Sequence, residues 1–120
     1  MWTVLIALTM AGLPLPFHEL VEKPDPKMVW IEALHQCENP ENVIKVLDTN
    51  GYYSYGYVMF QMKTWLAYGK EFGATKENIG DDELQKTVAL SMLDDGFWRH
   101  WYNCGKIVQK SLGLYPVSGD

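Results

Sequence analysis

Basic residues are scarce in this chain: ten Lys and Arg stand against fifteen Asp and Glu over 120 residues, for a net charge of −5. A nucleic-acid binder needs a basic patch, and attraction to an anionic membrane needs the same sign of charge. Neither class fits. Cysteine is sparse too, since Cys37 and Cys104 permit one disulfide and no multi-bridge scaffold. A structural zinc site takes four ligands. His35 and Cys37 stand near Glu38, but no second ligand pair follows at metal spacing. Long apolar runs are missing as well. The uncharged stretch from Thr3 to Leu13 is too short for a membrane span and has the length of a signal-peptide hydrophobic region. No Lys or Arg precedes it, and no small-x-small cleavage site follows. Residues 1–20 therefore read as an export signal or short anchor, or else as an ordinary helix packed on the domain. There is no internal repeat and no low-complexity segment.

What is present is enough for one modest domain: 48% hydrophobic residues, five of them Trp, with an ordinary 21% charged. Leu13-Pro14-Leu15-Pro16 breaks any helix, and a polar linker over 21–26 leads into a domain over 27–120. Asp25-Pro26 supplies an N-cap and first-turn proline. From there Ile31, Leu34 and Glu38 fall on one helical face, and Asn39-Pro40 ends the helix. The period then changes. Val43 to Leu47 and Tyr52 to Val58 flank Asp48-Thr49-Asn50-Gly51, and Asn-Gly between such runs signals a β-hairpin. Helix is predicted again from Met59 to Tyr68, from the acidic turn Asp81-Asp82-Glu83 to Gly96, and from Trp98 to a stop at Gly113. The fold class is α+β, mostly helical, with one small hairpin.

The chemistry gathers where the first helix meets the hairpin. Glu38 shares its face with Ile31 and Leu34 and sits at the negative end of the helix dipole. Both effects disfavour the carboxylate and raise its pKa. A carboxylic acid kept protonated near neutral pH is what glycosidic cleavage needs, because the leaving oxygen must receive a proton. The blander reading is a partly exposed glutamate at a fraying helix end. Asp48 is a second carboxylate and Ser54 a hydroxyl on the same hairpin, and together they could stabilise positive charge or position water. Asp48 could equally cap the Asn-Gly turn.

Glu38, Ser54-Tyr55-Gly56, Met59-Phe60-Gln61 and Tyr102-Asn103-Cys104-Gly105 resemble the motif series of soluble lytic transglycosylases and goose-type lysozymes. Asn39 stands where that family has serine, and Trp101 where it has alanine. Asp48 to Ser54 is also similar to the hairpin of T-even phage lysozymes, which are inverting muramidases. Both resemblances imply a lysozyme-like fold with the hairpin beside the active-site cleft.

The resemblance further implies a peptidoglycan-degrading enzyme that cleaves the β-1,4 bond between N-acetylmuramic acid and N-acetylglucosamine, with Glu38 as general acid and base and no metal or organic cofactor. It favours a lytic transglycosylase. The alternatives are a hydrolytic muramidase using Glu38, Asp48 and Ser54, and a non-catalytic glycan-binding or structural protein of the same fold. Gln61, Tyr102 and Asn103 are the substrate-binding candidates it suggests, with Gly105 allowing close helix approach. Tyr52, Tyr53, Tyr55 and Tyr57 lie along a strand, where successive side chains take opposite faces; Tyr53 and Tyr55 are the stacking candidates. If the Tyr102-Asn103 segment packs on the Glu38 helix, Cys37 and Cys104 come close enough for a disulfide, or for two buried thiols. The expected partner is peptidoglycan, with no nucleic acid and no metal, for a monomer or a part of a larger virion or secretion assembly. The expected location is the periplasm, the exterior or a virion.

Overall fold

A computed structural model describes residues 24–116, so the reading of residues 1–20 and the first half of the linker lie outside the described residues. Helix α1, Pro26–Glu38, begins where the sequence signals it. Asp25 is the N-cap, its carboxylate accepting from the Lys27 amide at 2.9 Å, with Pro26 in the first turn. The buried face of α1 is Trp30, Ile31, Leu34 and His35.

Three short antiparallel strands follow: β1 (Lys45–Leu47), β2 (Tyr53–Tyr55) and β3 (Phe60–Gln61), in that order across the sheet. The third strand corrects the hairpin expected from sequence. Phe60 and Gln61 pair with Tyr55 and Ser54, so helix α2 starts at Met62 and runs to Gly69. The Met59 to Gln61 stretch is too short for its period to separate strand from helix. After a 3₁₀ turn at Lys70–Phe72 come α3 (Asp82–Asp94, N-capped by Asp81), a second 3₁₀ turn at Trp98–Trp101, and α4 (Tyr102–Leu112). The last helix thus begins four residues later than its aromatic pattern predicts. Among the described residues no helix is long and apolar enough to cross a membrane.

Helix α1 packs on α3 and α4, and α2 packs on α3 and on the sheet. Between them lies a core built on Trp30, Trp65, Phe60 and Trp101 with Ile31, Leu34, Val88, Met92 and Leu93. Each of these three indoles donates its N–H to a main-chain carbonyl: Trp30 to Gly113 at 3.0 Å, Trp65 to Thr75 at 2.8 Å and Trp101 to Val58 at 2.8 Å. Large rings can be buried this way without leaving a polar atom unpaired. The disulfide between Cys37 and Cys104, with Cα atoms 5.7 Å apart, joins the last turn of α1 to the first turn of α4.

The sheet is hung on two buried amides. Asn39 donates to the carbonyls of Val43 at 2.9 Å and Gly56 at 2.8 Å, and accepts from the Val43 amide at 2.8 Å. Gln85, on α3, donates to Tyr55 at 2.7 Å and Ile79 at 2.6 Å and accepts from Val58 at 2.9 Å. Gly56 is required twice over. Its φ is +75°, and a Cβ there would stand 2.5 Å from the Gln85 amide nitrogen.

Replacing Gln85 by Leu leaves one N–H and two carbonyls without partners, which should lower unfolding free energy by about 3 kcal/mol in a denaturant titration. Gly56→Ala acts on the same contacts, so the double variant should cost clearly less than the sum.

Candidate active site

The pleat of the sheet decides what faces the cleft. Val46, Ser54 and Gln61 are cross-strand partners, and successive side chains on a strand point to opposite faces. All three line a cleft of about 370 Å³, together with Glu38, Asp48, Met59, His100 and Trp101. His100 and Trp101 come from the 3₁₀ turn before α4, and Glu38 from the last residue of α1.

Glu38 is half-buried there. Loss of water is the larger cause and the neighbouring Asp48 charge the smaller, and together they raise its pKa to about 7. At neutral pH a large fraction of the molecules therefore carries a protonated carboxyl, able to donate. Asp48 is held differently. It accepts from the Ser54 hydroxyl and, at 3.1 Å, from the Gln61 amide. Gln61 in turn exchanges two hydrogen bonds with the Asn50 side chain, at 3.1 and 3.2 Å. Asp48 also begins the turn expected of it, its carbonyl accepting from Gly51 at 3.0 Å. The carboxylate faces the cleft, and the side chain that bonds the turn's backbone is that of Asn50, which accepts from the Tyr52 amide at 3.1 Å, so Asp48 takes part in the turn through its main chain and not as the side-chain cap.

Glu38, Asp48, Ser54 and Gln61 are thus brought together. The other candidates are not. Tyr53 and Tyr55 lie on the sheet face opposite Ser54, and Tyr57 is buried, stacked on His35 at 3.9 Å between centroids and donating to Glu32. Tyr102 and Asn103 are exposed and do not line the cleft. Tyr102 stacks instead on Trp98 with centroids 6.0 Å apart. Gly105 does permit a close approach, but to the ring and carbonyl of Trp98.

Sequence reasoning passed over His100, Val46 and the positioning amides. His100 is open to solvent on one side and backed by Phe60 and Trp101 on the other. The water lost on that side holds its imidazole below the ordinary value. Val46 could have been found by extending the alternation of β1. Asn39 and Gln85 left no signal, because a buried amide reads in sequence as any surface Asn or Gln. Met59, in the cleft wall, has φ +58°, an uncommon conformation for a residue with a side chain. Among the described residues no group of three or more His, Cys, Asp and Glu side chains could hold a metal ion.

Comparison with known proteins gives one match. The model of a family described as a transglycosylase-like domain covers residues 26–104, about two-thirds of the chain. It runs from the first residue of α1 to the cysteine of α4. No curated protein and no solved structure matches.

The raised pKa has a sign for stability. Folded Glu38 titrates near 7 and unfolded glutamate near 4.5, so the folded state binds more protons between these values and stability falls as pH rises across that window. Glu38→Gln removes the cost of the buried carboxylate. The variant should be more stable than wild type by about 1–3 kcal/mol at pH 8 and nearly equal to it at pH 4, as thermal unfolding at the two pH values will read.

Proposed function

The chain belongs to the transglycosylase-like domain family, and from that premise we propose that it is a peptidoglycan lytic transglycosylase. At the level of the family the function is peptidoglycan-degrading and of transglycosylase type. The single observation that carries the finer reading is the half-buried Glu38 carboxyl, its pKa raised by lost water and by Asp48, in one cleft with Asp48, Ser54 and Gln61.

In this reading the glycan strand lies along the cleft with a MurNAc–GlcNAc β-1,4 linkage against Glu38. The carboxyl gives its proton to the bridging oxygen, the C1–O bond breaks, and positive charge builds on C1 and the ring oxygen. The Asp48 carboxylate, fixed by two donors, stabilises that charge. Glu38, now a carboxylate, takes the proton of the muramyl O6 hydroxyl as O6 bonds to C1. A 1,6-anhydro end forms, and the proton taken from O6 restores the acid for the next cycle. Gln61 braces Asp48 and offers its amide to the substrate's N-acetyl group. Tyr102 and Asn103, being outside the cleft, would act only on a strand extending past it.

A second reading has its own support. The Asp48–Ser54 pair faces the same space as Glu38 and could hold a water, which would make the enzyme a hydrolytic muramidase. We further place the protein outside the cytoplasm or on a virion, since the Cys37–Cys104 disulfide persists in an oxidising compartment.

Purified protein incubated with peptidoglycan should release fragments with anhydro ends, read by mass spectrometry, and Glu38→Gln should lower the rate by at least about a hundredfold. Reducing ends would instead make it a hydrolase. No release that depends on Glu38 would overturn the enzymatic reading and leave a glycan-binding or structural protein. The rate should fall as pH rises through about 7. Asp48→Asn removes one of the two causes that raise the Glu38 pKa, so the fall should move to lower pH in a profile of kcat/KM.

A further inference from the structure

We propose that a second groove, on the outer face of the sheet, binds the carboxylate-bearing peptide stems of the wall polymer. The groove has a volume of about 440 Å³ and is lined by Asn50, Tyr52, Tyr53, Tyr55, Gln61 and Lys63 among others. It is separate from the Glu38 cleft but continuous with it at one residue, because Gln61 belongs to both walls. The same alternation that turns Ser54 to the cleft turns Tyr53 and Tyr55 away from it.

Charge decides what suits this groove. The chain is acidic overall, yet no Asp or Glu lines the groove. Lys63 does, and the Lys45 ammonium stands 4.5 Å from the centroid of the Tyr53 ring. One ammonium in the lining and a second over its Tyr53 ring, with three tyrosines and no carboxylate, suit an acidic peptide, whose carboxylates meet the lysines while its backbone lies on Tyr52 and Tyr55. Tyr52 is 68% exposed, so its surface is available without rearrangement. Lys45 already covers the Tyr53 ring, and this favours a charged guest over a sugar stacked on that ring.

The inference rests on the reading that the cleft holds wall glycan. In that polymer each muramyl sugar carries a short peptide with free carboxylates. A strand lying beside Gln61 brings such a stem to the rim the two sites share. The stem then crosses the rim at Asn50 and Gln61 and lies along the tyrosines.

Two measurements test it. Rates are compared on intact peptidoglycan and on glycan strands stripped of their peptides, for wild type and for Lys63→Glu and Lys63→Gln. Lys63 is exposed on the first turn of α2, where an acidic residue is tolerated. Lys63→Glu should lower kcat/KM on intact wall about fivefold, the effect of turning one exposed attraction into a repulsion, with Lys63→Gln intermediate. Neither should change the rate on stripped strands. Equal losses on both substrates, or no loss on either, would overturn the proposal; the first would assign the groove to a glycan strand instead. Separately, a soluble stem tetrapeptide titrated into the wild-type protein should shift the ring signals of Tyr53 and Tyr55 in NMR spectra, and the shift should weaken in Lys63→Glu. Unmoved rings would also overturn it. If wild type cleaves neither substrate while the rings shift, the glycosidase reading fails and the peptide site stands.

Discussion

The position of the acid relative to the rest of the cleft depends on one side chain, that of Asn39. It follows Glu38 directly, is buried, and ties the end of α1 to both sides of the sheet, at Val43 and at Gly56. A buried amide with all three bonds made is worth little net stability, but a missing bond is expensive. The arrangement is therefore a geometric device more than an energetic one. It fixes the first strand and the β2–β3 turn to the last turn of the helix that carries the acid. The resemblance that suggested the chemistry expects a serine here, whose single short hydroxyl could not make these three contacts at once. The departure from the family pattern is thus a difference in how the sheet is fastened.

A second constraint runs through the cleft itself. Glu38 can be a useful acid near neutral pH only because it is denied water and faces Asp48, and both conditions cost stability when it ionises. The molecule meets that cost with features placed directly behind the site. Cys37 precedes Glu38 and is bonded to Cys104, closing a loop for which chain-entropy arguments give a stabilisation of about 4 kcal/mol. Trp101 is both core and cleft wall, its indole fixed to Val58. Around the acid, rigid covalent and aromatic supports stand where a less demanding side chain would need none.

Much of this was legible in sequence and some was not, for reasons that differ residue by residue. Asp25-Pro26 and Asp81 announced their helices because capping is local chemistry. Glu38 was legible because helical spacing alone put it on the face of Ile31 and Leu34, and Asp48 because the Asn-Gly turn fixed its place. The strand at Phe60–Gln61 was not legible, since its pairing with Tyr55 and Ser54 is a tertiary event with no local period. For the same reason the tyrosines could be assigned to two faces but not to the correct one. His100 went unnoticed because its part in the cleft comes from a 3₁₀ turn that brings it against Phe60. What the sequence wrote locally was readable, and what the fold assembled from distant pieces was not.

The three-residue row Val46, Ser54 and Gln61 has a consequence for how the chain can vary. Side chains alternate with a period of two, so a slip of one residue between β1 and β2 would exchange Ser54 for a tyrosine in the cleft. The acidic face would lose its hydroxyl and gain bulk in a single step. Within the loop between these strands, Asp48 and Asn50 are held to Gln61, so the loop can vary only where it keeps those two side chains and the pairing of Leu47 with Tyr53. The pairing is what guards the division between a face that carries Ser54 and Gln61 and a face that carries Tyr53 and Tyr55.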